Sequence, residues 1–328
     1  MPKEITHIFF SEDTVKELDK SNLFSVINSN KPFYNFGSIA VDIFYYNLNK
    51  KAIEQGDALH GKDGNETSLP IIEALKELKK NKDDKYFNQK LSFICGFLTH
   101  MALDITFHPY VYYFSGNYYD KNKEKRTLAR MNHRIIEVFI DLFLLDKKSI
   151  ELKNFKDLEN IYKNKEINLI ILDFLSKAFS KAWKTDDNIL KPLKRGYYIQ
   201  KFLTKQFKNP QANKLLKIVN ILSDNKLKSY LVLFYPIKYT KIPSEIIDFG
   251  TFKHPVTNAE YKGNFYTLWN DALNLSTSFL KAVNDFIFLD CDESVLKSII
   301  KDYSLDVGLV KTKVSDAKYF SPLSLTID

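Results

Sequence analysis

The sequence predicts an all-α protein, a multi-helix bundle, and three observations carry that prediction. Glycine and proline are scarce, ten of each in 328 residues, so few positions punctuate the chain. The hydrophobic content is 45% and weighted to Phe, Tyr, Leu and Ile, with Lys abundant beside them, which suits helices better than many short strands. No convincing repeat, low-complexity block or linker-like stretch divides the chain. This length is enough to bury a full core, and a single helical domain over 1–328 is expected.

In chain order, "FFSEDTVKELD" reads as a helix start with Ser11 as N-cap and a partial capping box, Thr14 standing where a Glu would complete it. "NKPFYNFGSIAVDIFYY" is broken by Gly37 and predicts a loop running into a helix near Ser38. "GDALHGKDGNETSLP" is polar and turn-rich, hence a loop, and feeds the helix "IIEALKELKK". "YFNQKLSFICGFLTHMALDITF" is a long helix of buried type, with Pro109 marking its end or a kink. A polar connection covers 115–126, and "LARMNHRIIEVFIDLFLLDK" is a further helix. Residues 152–239 alternate Lys-rich and Leu/Ile-rich stretches and predict several amphipathic helices. "KIPSEIIDFGTFKHPVTNAEYKG" reads as an irregular loop, and "NFYTLWNDALNLSTSFLKAVNDFIF" as one more helix. After Asp292 a short helix and then extended residues are expected.

Composition narrows the function classes. The net charge is +8 and the pI about 9.0, but the lysines are dispersed, which favours solvated helix faces over a nucleic-acid footprint. No specific nucleic acid is predicted; peripheral contact with a membrane remains compatible. Cys95 and Cys291 lie far apart, which rules against a disulfide scaffold or a metal knuckle and suits a reducing compartment. "MPKEITHIFF" lacks a signal-peptide pattern, and no apolar run approaches the roughly 20 residues of a spanning helix, so a cytoplasmic location is expected.

The chemistry gathers on "GFLTHMALDITFHP". His100, Asp104 and His108 stand four residues apart and share one helical face if the helix persists to His108. His133 and Glu137 repeat the spacing on a second apolar helix. Two helices that each present imidazole and carboxylate one turn apart are how bundles build metal sites in their cores. His7, Asp42 and His60 complete the N-terminal set. Any one of these could be an ordinary core histidine or a helix ion pair. Jointly, buried Asp104 and Glu137 among apolar neighbours need a cationic partner, because burying them without one would cost several kcal/mol. Imidazole and carboxylate ligands suit zinc, with iron or manganese also possible, and eight groups exceed what one tetrahedral ion can use. Residues 1–150 thus read as a metal-binding core and 151–328 as supporting helices.

With these residues in view, the chain resembles the zinc-dependent phospholipase C family, the all-helical group that includes the single-strand-specific zinc nucleases, and most closely its cytoplasmic bacterial branch. The matching pieces are "THIFF", "FGSIAVDIF", "DALH", "GFLTHMALDITFHPY" and "NHRIIEVFIDLFL", with a thinner likeness at "HPVTNAEYKGNFYTLWNDAL". The resemblance implies a cleft with two or three zinc ions. Asp42, His60, His100 and Asp104 would hold one ion; His108, His133 and Glu137 a second; Asp104 would bridge to a third, shared with His7. Secreted members place five residues between the Asp and the next His, where this chain has three, and complete the third site with a mature N-terminal amine and a Trp carbonyl. This chain has no Trp at its start, which leaves the third site open.

The activity implied is phosphodiester hydrolysis by metal-activated hydroxide, with Asp42 as the carboxylate that orients or deprotonates the water, and a phospholipid or other phosphodiester as substrate. The alternatives are a single-strand nuclease or nucleotidase with the same metals, or a non-catalytic metal-binding protein of this fold. A nuclease predicts aromatic stacking platforms by the cleft, with Tyr112, Tyr113, Tyr118 and Tyr119 as candidates. His254 reads as a loop residue remote from the metals. Oligomeric state is not legible.

Overall fold

A computed structural model describes residues 3–18, 21–47, 49–236 and 241–326. The helices are α1 (Glu4–Lys16), α2 (Asn22–Ser29), α3 (Lys31–Ala40), α4 (Lys50–Leu59), α5 (Leu69–Lys80), α6 (Phe87–Ser115) and α7 (Lys123–Lys147). They continue with α8 (Asp157–Lys163), α9 (Leu172–Ala182), α10 (Leu190–Phe207), α11 (Pro210–Leu222), α12 (Lys228–Leu231), α13 (Ser244–Ile247), α14 (Phe265–Phe288) and α15 (Glu293–Ile299). The strands among the described residues are β1 (Gly250–Lys253) and β2 (Glu260–Gly263), an antiparallel pair with Phe252 opposite Tyr261. The fold is all-α, as the composition predicts.

α6 is the axis of the core, and α1, α2, α3, α5, α7 and α14 pack around it. Its length and hydropathy would let it cross a bilayer, contrary to the expectation that no segment reaches that length. The protein itself supplies its apolar surroundings: 94% of its most apolar window is buried inside the fold. The closest packing is α3 against α6, and two glycines make it possible. A Cβ on Gly37 would fall 2.1 Å from Phe93 O, and one on Gly96 would fall 1.9 Å from Tyr34 O. Gly37 therefore does not break a helix, as its position in the sequence suggests. It lies inside α3, where the missing side chain lets two backbones touch.

Other boundaries differ for local reasons. α1 begins at Glu4, not near Ser11; Ser11 sits within it and its hydroxyl donates to Ile8 O. "GDAL" ends α4, capped N-terminally by Asn49, and the turn-rich stretch starts only at His60. Pro109 does not end α6, which continues to Ser115 and delivers His108 on the same helix as His100. The carbonyl that loses its helical N–H to Pro109 is Ile105 O. Gly308, at φ +69°, lies so close over it that a Cβ there would be 2.4 Å away. The expected loop at 241–263 contains α13 and the β1–β2 hairpin, its strands four residues each. α14 starts where the pattern predicts, at a full capping box of Asn264 with Thr267.

Candidate metal centre

Five elements bring the eight predicted groups together. His7 comes from the middle of α1, Asp42 from the 3-10 turn Val41–Tyr46, and His60 from the C-terminal end of α4. His100, Asp104 and His108 line one face of α6, and His133 and Glu137 one face of α7. All are buried except Asp42, whose side chain is 14% exposed. They form three groups in which ligand-type atoms lie within 4.8 Å of one another: His7, His100 and Asp104; Asp42, His60 and His100; His108, His133 and Glu137.

The contacts run in a chain. His60 Nε2 lies 3.3 Å from Asp42 Oδ1, and His100 Nε2 3.8 Å from the same oxygen. His100 Nε2 is also 3.0 Å from Asp104 Oδ2. Asp104 Oδ1 faces His7 Nε2 at 3.5 Å and His108 Nε2 at 3.8 Å. His133 Nε2 is 2.9 Å from Glu137 Oε1. Donor atoms on one tetrahedral zinc, each about 2.1 Å from the ion, are about 3.4 Å apart. The observed separations bracket that edge.

Hydrogen bonding fixes which nitrogens face inward. His60 Nδ1 donates to Gly56 O at 2.8 Å, His100 Nδ1 to Ser38 O at 2.8 Å, and His108 Nδ1 to Leu305 O at 2.6 Å. Each ring spends its N–H on a carbonyl, so its Nε2 lone pair points into the cleft. At His100 and Asp104 a nitrogen lone pair therefore faces a carboxylate oxygen in a fully buried setting. That contact is attractive only with a cation, a proton or a metal, between the two atoms. Among the described residues, His100 Nε2, His108 Nε2, both nitrogens of His7, both oxygens of Asp104 and Asp42 Oδ1 have no hydrogen-bond partner. His7 and His100 stack face to face, centroids 3.7 Å apart and planes within 5°.

The titration behaviour of the metal-free chain agrees. Burial holds His7, His108 and His133 well below the ordinary imidazole value, which keeps them neutral. Burial would depress His60 too, but the Asp42 carboxylate outweighs it and raises His60 to about 9. His100 is raised in the same way by Asp104 and Asp42, against its burial. Burial works to raise Asp104, yet the facing imidazoles bring it down to about 2. Protons thus bind at His60 and His100, where the carboxylates concentrate negative charge, and these are the positions where a metal ion would replace them.

One element of the centre has no counterpart in the sequence reading. The hairpin-like tail at 302–310 closes over α4 and α6. Leu305 N donates to the His60 backbone O at 2.8 Å, and Leu305 O accepts from the His108 ring, so one residue ties the end of α4 to the His108 imidazole. Asp302 anchors the tail by accepting from Ser68 N and Oγ, and Val307 O accepts from His254 Nε2 at 2.9 Å. His254 is thus outside the cluster, but it holds the strap that crosses it. Asp306 is the next acidic side chain, 3.9 Å from His108 Nδ1, with its pKa pushed up to about 6 by burial. Its signal is slight: one acidic residue between Leu305 and Val307 in "SLDVGLV".

The four tyrosines proposed as stacking platforms are all at least partly buried. Tyr112 and Tyr118 meet His133 edge-on, with centroids 5.1 and 5.5 Å away, and Arg130 lies over the Tyr118 ring at 4.9 Å. Tyr119 packs on Tyr118, and Tyr113 on Phe114 and Phe252. They brace the α7 side of the cleft.

A helical core built around three imidazole–carboxylate groups able to hold metal ions defines the class: an all-α protein with a candidate metal centre. The chain belongs to the zinc-dependent phospholipase C family, whose model matches residues 6–186, more than half of its length. No curated protein and no solved structure matches it. The matched segment contains all eight predicted residues; the Leu305–Asp306 strap lies beyond it.

Proposed function

We propose that the centre hydrolyses a phosphodiester in the manner of a phospholipase C, cleaving a glycerophospholipid on the glycerol side of its phosphate. What supports this is the buried His100–Asp104 contact at 3.0 Å, which with Nδ1 committed to Ser38 needs a cation, a proton or a metal, between its two atoms. The family supplies the zinc dependence and the phospholipid class of substrate. When bound, zinc supplies Lewis-acid polarisation of phosphoryl oxygens and a lowered pKa for water.

In this reading Asp42, His60, His100 and Asp104 hold one ion, and His108, His133 and Glu137 a second. His7 with Asp104 supports a third. Asp42 is the group that orients the attacking water and takes its proton. Its side chain is the one of the eight that is not buried, and it faces His60 and His100 at the same oxygen. Asp104, fully buried between His7, His100 and His108, would serve more than one ion. Arg130 over Tyr118 and Lys62 over Tyr119 place cations beside the rings that border the cluster, which suits an anionic substrate.

The test is hydrolysis of phosphatidylcholine, bis-p-nitrophenyl phosphate and single-stranded DNA by zinc-loaded and chelated protein. Zinc-dependent release of diacylglycerol is expected, with Asp42→Asn inactive but folded. Inertness of fully loaded protein towards all of them would refute the enzyme, and cleavage of DNA alone would favour the nuclease. Metal analysis should return two or three ions per chain.

A further inference from the structure

α11 is amphipathic in the wrong sense for a protein core. Its buried residues are asparagines, Asn213 and Asn220, each 5% exposed. Its large aliphatics face outward: Leu215 64%, Ile218 56%, Val219 41% and Leu222 80% exposed. These four stand at i, i+3, i+4 and i+7, so they form one stripe along the helix, and Ile221, 70% exposed, widens it. The inward face combines Ala212 and Leu216, packed against the core, with polar contacts. Asn220 Nδ2 donates to Asn225 Oδ1, and Asn220 Oδ1 accepts from Leu227 N, both at 2.9 Å. The outward stripe is therefore a feature of the folded helix, since its other face is used inside.

The charge around the stripe is one-sided. From 194 to 236 the chain carries nine basic residues and one acidic residue, Asp224. Lys214 and Lys217 stand on the flank of the stripe and are exposed, as are Lys226 and Lys228 just after it. A second copy of the chain would fit poorly, because self-complementary pairing through this face would bring the two sets of lysines together. A negatively charged, apolar-cored layer fits on both counts: the aliphatics enter the acyl boundary while lysine stems lie along it with their ammonium groups at the headgroups.

We propose that α11 is a docking element for an anionic lipid surface. It deepens the phospholipase reading, on which it rests for its purpose, by naming the part of the chain that meets the bilayer. Its evidence lies outside the metal cluster and the matched family segment.

The test uses the full chain and co-sedimentation with two vesicles, phosphatidylcholine alone and phosphatidylcholine containing phosphatidylglycerol. Wild type should pellet with the anionic vesicles, less so at high salt. Ile218→Asp with Leu222→Asp should weaken that binding roughly tenfold or more, and Lys214→Glu with Lys217→Glu should remove its salt dependence. All four positions are exposed, so thermal unfolding and hydrolysis of the soluble bis-p-nitrophenyl phosphate should match wild type. Wild type that ignores anionic vesicles, or aspartate variants that bind them as wild type does, would overturn the proposal. So would light scattering that shows the stripe joining two chains in solution. Binding is read without turnover, so an inert enzyme that still docks would sink the phospholipase reading and leave the surface standing.

Discussion

Asp104 shows most directly what a single side chain does here. It lies fully buried with three imidazole nitrogens within 3.8 Å of its oxygens, and in the metal-free chain the facing His100 ring does most to offset its burial. Asp104→Ala should therefore release zinc and lower the melting temperature together, whereas a role confined to packing would leave the metal content intact. Asp141 carries the opposite logic. It accepts from Thr6 N at 2.8 Å, from the Thr6 hydroxyl and from Tyr235, with Lys3 close by, yet burial pushes it up to about 6. A raised carboxyl pKa stabilises the fold through the protonated form. That contribution is full below the unfolded value of about 3.9 and fades as pH rises through about 6. The melting temperature of wild type minus that of Asp141→Asn should thus fall between about pH 4 and pH 7, measured by thermal scans of metal-free protein.

At the scale of elements, two glycines separate packing from metal binding. Gly96 lets α6 meet α3, and because Tyr34 backbone would have to move for a Cβ, Gly96→Ala should cost about 3 kcal/mol or more. The loss should be equal with and without zinc if the centre shifts as a unit. Gly308 instead seats the tail strap on Ile105 at a left-handed φ of +69°. Gly308→Ala should loosen the strap that orients His60 and His108, so its main effect is a weaker zinc affinity, roughly tenfold, read by competition with a chelator. The helix pattern made α5, α6, α7 and α14 legible from periodicity and caps. It mistook Gly37 for a break, and of its two readings of Pro109, an end or a kink, the end does not hold, because both rules describe an isolated helix. Here a neighbouring backbone uses the missing Cβ of one, and Gly308 covers the carbonyl freed by the other.

For the whole molecule, the metal centre joins α1, α4, α6, α7, the turn between α3 and α4, and the tail. Zinc bound across these elements should act on the entire fold. Free zinc about a hundredfold above its dissociation constant contributes about 3 kcal/mol, a rise in melting temperature on the order of 5 °C, and chelation should reverse it. A calorimetric scan that shows no shift would mean the centre takes up no metal.

The sequence by itself determined the helical class and the candidate ligand types. Both are local: scarce Gly and Pro, and imidazole and carboxylate one turn apart on α6 and α7, are read within a few residues. What only the tertiary structure decided is which atoms meet. Carbonyls of Ser38 and Leu305 choose the tautomers of His100 and His108. Asp306 arrives from far along the chain, and α11 turns its asparagines in and its aliphatics out. Such pairings depend on the closure of long loops by the packed core, and no spacing in the sequence carries that information.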